Sequence, residues 1–209
     1  MHTEILSEEQ KKLLPLIQLF RKDYYLVGGT AIALHIGHRR SLDFDLFTQK
    51  RIQRIQIKKI VSEQSSSVPV FLYESSEQLH LKINDVKLTF FQFPFSVPLS
   101  IDFNGIIKMP SLIDLAAMKA FAFAERAKWK DYVDIYFILK YHHSLGEICK
   151  QTEYLFNSQH SVVFTEKLFR QQLCFFDDIN YSEQVEYITQ PVSDEEIKNF
   201  LIDTATQPF

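Results

Sequence analysis

Of everything in the 209-residue chain, two adjacent glycines most constrain the fold: Gly28-Gly29, directly behind a short apolar run at residues 24–27. An apolar run of this length that stops at glycine reads as a buried strand. Glycine permits a sharp turn and lets a ligand approach the main chain. Residues 30–36 are small or apolar and end at Gly37, the pattern of a short helix with a glycine stop. The N–H groups at such a helix start favour an anion such as a phosphate, and Thr30 adds a hydroxyl. Thirteen residues beyond Gly29, the segment 42–48 alternates polar and apolar as a half-buried strand does. Asp43 and Asp45 lie two apart on it, so both carboxylates leave one face. Paired carboxylates repel each other, and a hard divalent cation relieves that repulsion; Mg²⁺ is usually held by one or two carboxylates plus substrate phosphates.

The flanking chain reads as a mixed α/β first half and a mostly helical second half. Ser7 and Gln10 form a capping-box pattern ahead of helically spaced Leu13, Leu14, Ile17 and Phe20. A helix is expected over 52–63 and a polar turn over 64–67. Strands are expected over 68–73, 79–83 and 86–93, the last two joined at Asn84-Asp85. Pro94 and Pro98 close this part. Beyond Ser111, which can cap a helix reaching about 127, helices are expected over 130–141, 144–157, 161–173 and 193–203. The expected fold class is α+β: a mixed β-sheet core with flanking helices over 1–108, then a helical region over 109–209 packed on it and contributing site residues.

Within that second half, Lys119 interrupts an otherwise apolar helix and shares a helix face with Arg126. Asp131 and Asp134 are i, i+3 neighbours on the next helix. Taken alone, this group fits an inter-helix salt-bridge cluster as well as a site. Joined to strand, Gly-Gly, helix and Asp-x-Asp in order, the arrangement resembles the AbiEii/AbiGii-type nucleotidyltransferase toxin family, with its polymerase-β-like nucleotidyltransferase fold. The resemblance spans about residues 24–139 and continues loosely to Asp178. Its motifs here are Gly28-Gly29-Thr30 through Asp43-Phe44-Asp45, the run Asp114-Leu115-Ala116-Ala117-Met118-Lys119, and Lys130-Asp131 with Asp134.

The resemblance implies an enzyme that moves an NMP from an NTP onto an acceptor, with RNA at a tRNA 3′ end foremost. By the same resemblance Gly28, Gly29, Thr30, Arg40 and Ser41 bind the nucleotide. Asp43 and Asp45 hold Mg²⁺ or Mn²⁺, Lys119 contacts the triphosphate, and Asp131 belongs to the active site, with Asp134, Arg126, Lys130 and Asp114 nearby. It also implies a cognate antitoxin protein as partner and a bacterial, cytoplasmic setting. One departure stands out. Polymerase-type enzymes usually carry a third carboxylate on a later strand, often the general base; here Thr89 holds the expected position. Asp85 in a turn and Asp102 in a loop are weaker substitutes, and Asp131 is a further one. A catalytically weakened nucleotide-binding module is therefore an alternative, and nucleotidylation of a protein or small molecule a third.

Other features read more plainly. The net charge of −3 provides no global basic field, so RNA contact would need a local patch, expected from Arg39, Arg40, Arg51, Arg54, Lys128 and Lys130. The basic run Arg51, Arg54, Lys58, Lys59 reads as a solvated helix face. His35, His38, His142 and His143 read as surface or capping residues, and Phe121, Phe123, Tyr132, Tyr136 and Phe137 as core. Cys149 and Cys174 read as reduced thiols. The polar N-terminus is no signal peptide, and no apolar run approaches the ~20 residues of a membrane helix.

Overall fold

The computed structural model describes residues 1–65, 67–123, 128–157, 164–177 and 179–208. Its contacts divide the chain into Met1–Ser111 and Leu112–Phe209.

In the first unit, helix α1 (Glu8–Gln18) starts at a reciprocal capping box: the Ser7 hydroxyl accepts from Gln10 N–H and the Gln10 side chain accepts from Ser7 N–H. Its buried face carries Leu13, Leu16 and Ile17. Strand β1 (Tyr25–Val27) runs straight into helix α2 (Gly28–Ile36), which ends at Gly37 in the left-handed conformation. Strand β2 (Phe44–Thr48), helix α3 (Arg54–Gln64) and strands β3 (Val70–Glu74), β4 (Gln78–Ile83) and β5 (Val86–Gln92) follow. The five strands form one mixed sheet in the order β1-β2-β5-β4-β3. Only β2 and β5 pair in parallel; the other neighbours are antiparallel. Phe44, Leu46, Leu79, Leu81, Leu88 and Phe90 share one face of the sheet and are fully buried. Asn84 and Asp85 both take positive φ, as the tight β4–β5 hairpin turn demands.

Three local expectations change. Gly28 and Gly29 are the first residues of α2 and not a loop before it. Asp43 lies one residue ahead of β2, so only Asp45 stands on the strand. Residues 101–109 are not loop: strands β6 (Ile101–Phe103) and β7 (Ile107–Met109) form a hairpin whose turn uses Asn104 and Gly105, both at positive φ.

The second unit is helical: α4 (Leu112–Ala122), α5 (Trp129–Tyr141), α6 (Leu145–Thr152) with a π-helical turn at Glu153–Asn157, α7 (Glu166–Leu173) and α8 (Asp194–Thr206). Helix α4 is described to Ala122, and its expected continuation over 124–127 lies outside the described residues. Ser144, Thr165 and Ser193 cap α6, α7 and α8 through their hydroxyls. Phe123, Tyr132, Tyr136 and Phe137 are core side chains as expected. Among the described residues no helix is long and apolar enough to cross a membrane.

Candidate functional site

One group of candidate residues is built at the junction of β1, α2 and β2. Val27 pairs with Asp45 across the antiparallel β1–β2 ladder. The chain then turns at Gly28, with φ +74°, into α2. A methyl group placed on Gly28 would stand 2.2 Å from Oδ2 of Asp45. Glycine is required there twice, by backbone conformation and by space. The N-cap residue of α2, Val27, has no side chain that can cap it, and N–H groups at a helix start are suited to an anion.

Behind this junction the polar groups are packed against the turn. A methyl on Gly29 would meet Arg39 Nη2 at 2.6 Å and Ser41 Oγ at 3.1 Å. Arg39 is only 3% exposed and donates from Nη1 to the Arg40 carbonyl at 3.0 Å. It is therefore a buried side chain, not part of a surface patch. The Thr30 hydroxyl is buried too; it donates to the Asp43 carbonyl and, at 3.4 Å, to that of Ser41. Gln10 donates to the same Ser41 carbonyl at 2.8 Å. Thr30 and Gln10 thus fasten the segment leading into Asp43, which gives Thr30 a positioning role. Arg40 is half-buried and reaches the Ile5 carbonyl at 3.4 Å.

Asp43 and Asp45 are both half-buried, and Asp45 lies on the side of β2 opposite the buried Phe44 and Leu46. Two hard carboxylates beside a glycine that makes room for one of them fit a divalent cation. On β5 the residue in register with Asp45 is Thr89, and His80 on β4 pairs with Thr89 in turn. Asp85 pairs with Lys82 at 2.7 Å in the exposed hairpin turn, where Lys82 holds its carboxyl below the usual range. Asp102 accepts from Gly105 N–H at 3.0 Å and serves its own turn. Neither supplies a third carboxylate beside Asp45. Among the described residues no three His, Cys, Asp or Glu side chains converge as a metal cage.

The second group lies in the helical unit. Lys119 of α4 reaches Asp131 Oδ1 at 2.6 Å and Asp134 Oδ2 at 3.0 Å on α5. Asp134 is fully buried and Lys119 nearly so. Asp131 also accepts from the Lys128 N–H at 3.4 Å, at the start of α5. The three residues form the inter-helix ion cluster that their spacing allowed. Asp114 is buried and accepts from Gln151 Nε2 of α6 at 2.6 Å, a packing role. Lys128 and Lys130 bind the two oxygens of Glu183, one each. Burial pushes the Glu183 carboxyl up, but the bonds from Lys128 and Lys130 outweigh it and hold it down at about 2. Arg126 and Asp178 lie outside the described residues.

The remaining polar residues are placed mostly as expected. Arg54 and Lys58 of α3 both bind Glu74 of β3. His38 is the exception, being 1% exposed rather than at the surface. His35 meets the Pro110 carbonyl at 3.1 Å. Cys149 is buried, and burial pushes its thiol up to about 12.

These features define a nucleotidyltransferase fold: a mixed sheet with a glycine helix start set against an Asp-x-Asp strand, followed by a helical half. The chain belongs to the nucleotidyl transferase AbiEii toxin family of Type IV toxin–antitoxin systems, whose family model matches residues 16–203. It is similar to the uncharacterized protein aq_aa25 of Aquifex aeolicus (strain VF5), at 33% identity over 124 residues, 57% of this chain and 59% of that protein's length. Among solved structures, it is similar to the nucleotidyltransferase toxin MenT4 of Mycobacterium tuberculosis H37Rv, with TM-score 0.60 and 10% identity over 93% of this chain and 81% of the other. It is also similar to JHP933 of Helicobacter pylori, with TM-score 0.55 and 16% identity over 96% and 91%.

Proposed function

We propose that the protein is a metal-dependent nucleotidyltransferase that moves an NMP from an NTP to an RNA acceptor, with a tRNA 3′ end as the leading candidate. The observation that carries this reading is the apposition of Gly28 and Asp45. It brings a helix start, whose N–H groups suit a phosphate, against a carboxylate suited to Mg²⁺ or Mn²⁺. Asp43 and Asp45 would hold the cation, which when bound neutralises charge on the triphosphate. The N–H groups of Gly28 and Gly29 would receive phosphate oxygens. An acceptor hydroxyl would form a bond to the α-phosphorus as the bond to the pyrophosphate oxygen breaks. Asp131 would take the hydroxyl's proton and Lys119 would offset charge on the leaving pyrophosphate. Family membership adds an antitoxin as the expected partner and growth arrest as the expected consequence.

The test is transfer itself. Purified protein is incubated with total tRNA, Mg²⁺ and each α-labelled NTP in turn, beside an Asp43→Ala/Asp45→Ala variant. Label entering RNA from one NTP, and lost in the variant, supports the reading. Label on protein or on a small acceptor would move the assignment to that acceptor.

A second reading is favoured by Thr89. With threonine where a third carboxylate is usual, the chain would bind nucleotide but transfer it weakly. Asp43- and Asp45-dependent NTP binding without label transfer would select it.

A further inference from the structure

Lys128 and Lys130 flank Trp129 at the very start of α5, and both ammonium groups close on one carboxylate. That carboxylate belongs to Glu183, more than fifty residues away in the chain, between α7 and α8, where no described residue lies in a helix or strand. The segment is laid along α5 by a few contacts: Trp129 N–H donates to the Asn180 carbonyl at 3.1 Å, and the Tyr181 ring lies 5.3 Å from that of Trp129. All three charged side chains are partly open to water, from 21% for Lys130 to 41% for Glu183. Two lysines, one on each oxygen of an anion, are also what a phosphate group recruits. Asp131, three residues after Lys128, accepts that lysine's backbone N–H while its other oxygen holds Lys119. The lysine pair therefore adjoins the Lys119–Asp131–Asp134 cluster.

We propose that Lys128 and Lys130 are a binding pair for a backbone phosphate of an RNA strand, and that Glu183 occupies the pair in the free protein as an internal competitor. The proposal rests on the RNA-acceptor reading given above. Strand binding exchanges the Glu183 carboxylate for a phosphate and returns Glu183 to water, so RNA affinity is held down by the protein's own side chain. The same phosphate chemistry occurs in an NTP, and the experiment separates the two sources.

The full chain is titrated with a labelled single-stranded RNA and, separately, with a fluorescent NTP analogue, over a salt series. Wild type is compared with Glu183→Gln, Lys128→Ala/Lys130→Ala, the triple variant, and Glu195→Gln as a charge-matched control on α8. Circular dichroism confirms that each is folded. Glu183→Gln is expected to tighten RNA binding about fivefold, the size of one partly exposed ion pair, and to leave NTP binding unchanged. The lysine variant is expected to weaken RNA binding and to flatten the log–log salt slope by about 0.7, one single-strand phosphate contact. In the lysine-free background Glu183→Gln should have no effect. Equal tightening by Glu195→Gln, or a Glu183→Gln effect that survives loss of both lysines, would overturn the proposal as a general charge effect. Tightening of NTP alone would overturn the RNA assignment. RNA binding by wild type that Glu183→Gln leaves untouched would overturn the proposal and spare the RNA reading, whereas no RNA binding by any variant would overturn both.

Discussion

Thr89 stands beside Asp45, its registered partner on the parallel strand β5. Side chains of registered neighbours leave the same face of a sheet, so this hydroxyl occupies the place a third carboxylate would take. Thr89→Asp would therefore set a second acid next to Asp45. Without metal the new like-charge contact should lower the melting temperature by about 2–4 °C per kcal/mol of repulsion. With millimolar Mg²⁺ the variant should regain more than that loss, because a cation now has one more ligand. Thermal unfolding with and without Mg²⁺ measures this; a variant whose melting point ignores Mg²⁺ would show that the row holds no cation.

Gly28→Ala tests the turn. The added methyl would collide with Asp45 Oδ2, at a backbone angle that alanine rarely adopts. The fold should lose about 1–3 kcal/mol, and Mg²⁺-dependent NTP binding should disappear because Asp45 is displaced. Calorimetric titration of the folded variant checks the second point; wild-type affinity would refute it.

Lys119→Met removes the ammonium group that pairs with both Asp131 and the fully buried Asp134. Breaking a buried pair in this way typically costs about 3–5 kcal/mol, because a charge is left behind. A chemical denaturation midpoint should fall accordingly. Replacing Asp134 by Asn together with Lys119→Met should restore part of the loss.

Glu183 gives a pH signature. A carboxylate whose native pKa lies below its unfolded value stabilises the fold above the unfolded value and loses that contribution as pH falls. Here the window runs from the ordinary 4.5 down to about 2. Being 41% exposed, the group should contribute under about 1 kcal/mol after screening by water. Stability measured across that window should drop less in Glu183→Gln than in wild type; parallel curves would contradict the assignment.

Short-range chemistry made much of this fold legible. The Ser7–Gln10 box, the Asn84-Asp85 turn and the alternation through Asp45 each depend on residues within a few positions of one another. The β6–β7 hairpin was missed although Asn104-Gly105 is a strong turn signal, because strands of three residues leave almost no periodicity. The direction of the Thr30 hydroxyl was not legible, since it is set by the carbonyls of Ser41 and Asp43 brought back across the turn. Arg39 looked like surface charge and is buried, because the glycine beside it leaves room for its guanidinium. Glu183 had no local signal at all; its partners are more than fifty residues distant.

The central claim is that Gly28 and Asp45 together make an NTP–cation site. Its most direct measurement is calorimetric titration of NTP into wild type and Asp45→Asn, each with Mg²⁺ and with EDTA. The account predicts Mg²⁺-dependent binding in wild type and none in the folded Asp45→Asn protein, since the amide keeps the shape of the carboxylate and loses its charge. Equal, Mg²⁺-dependent binding by both proteins would contradict it.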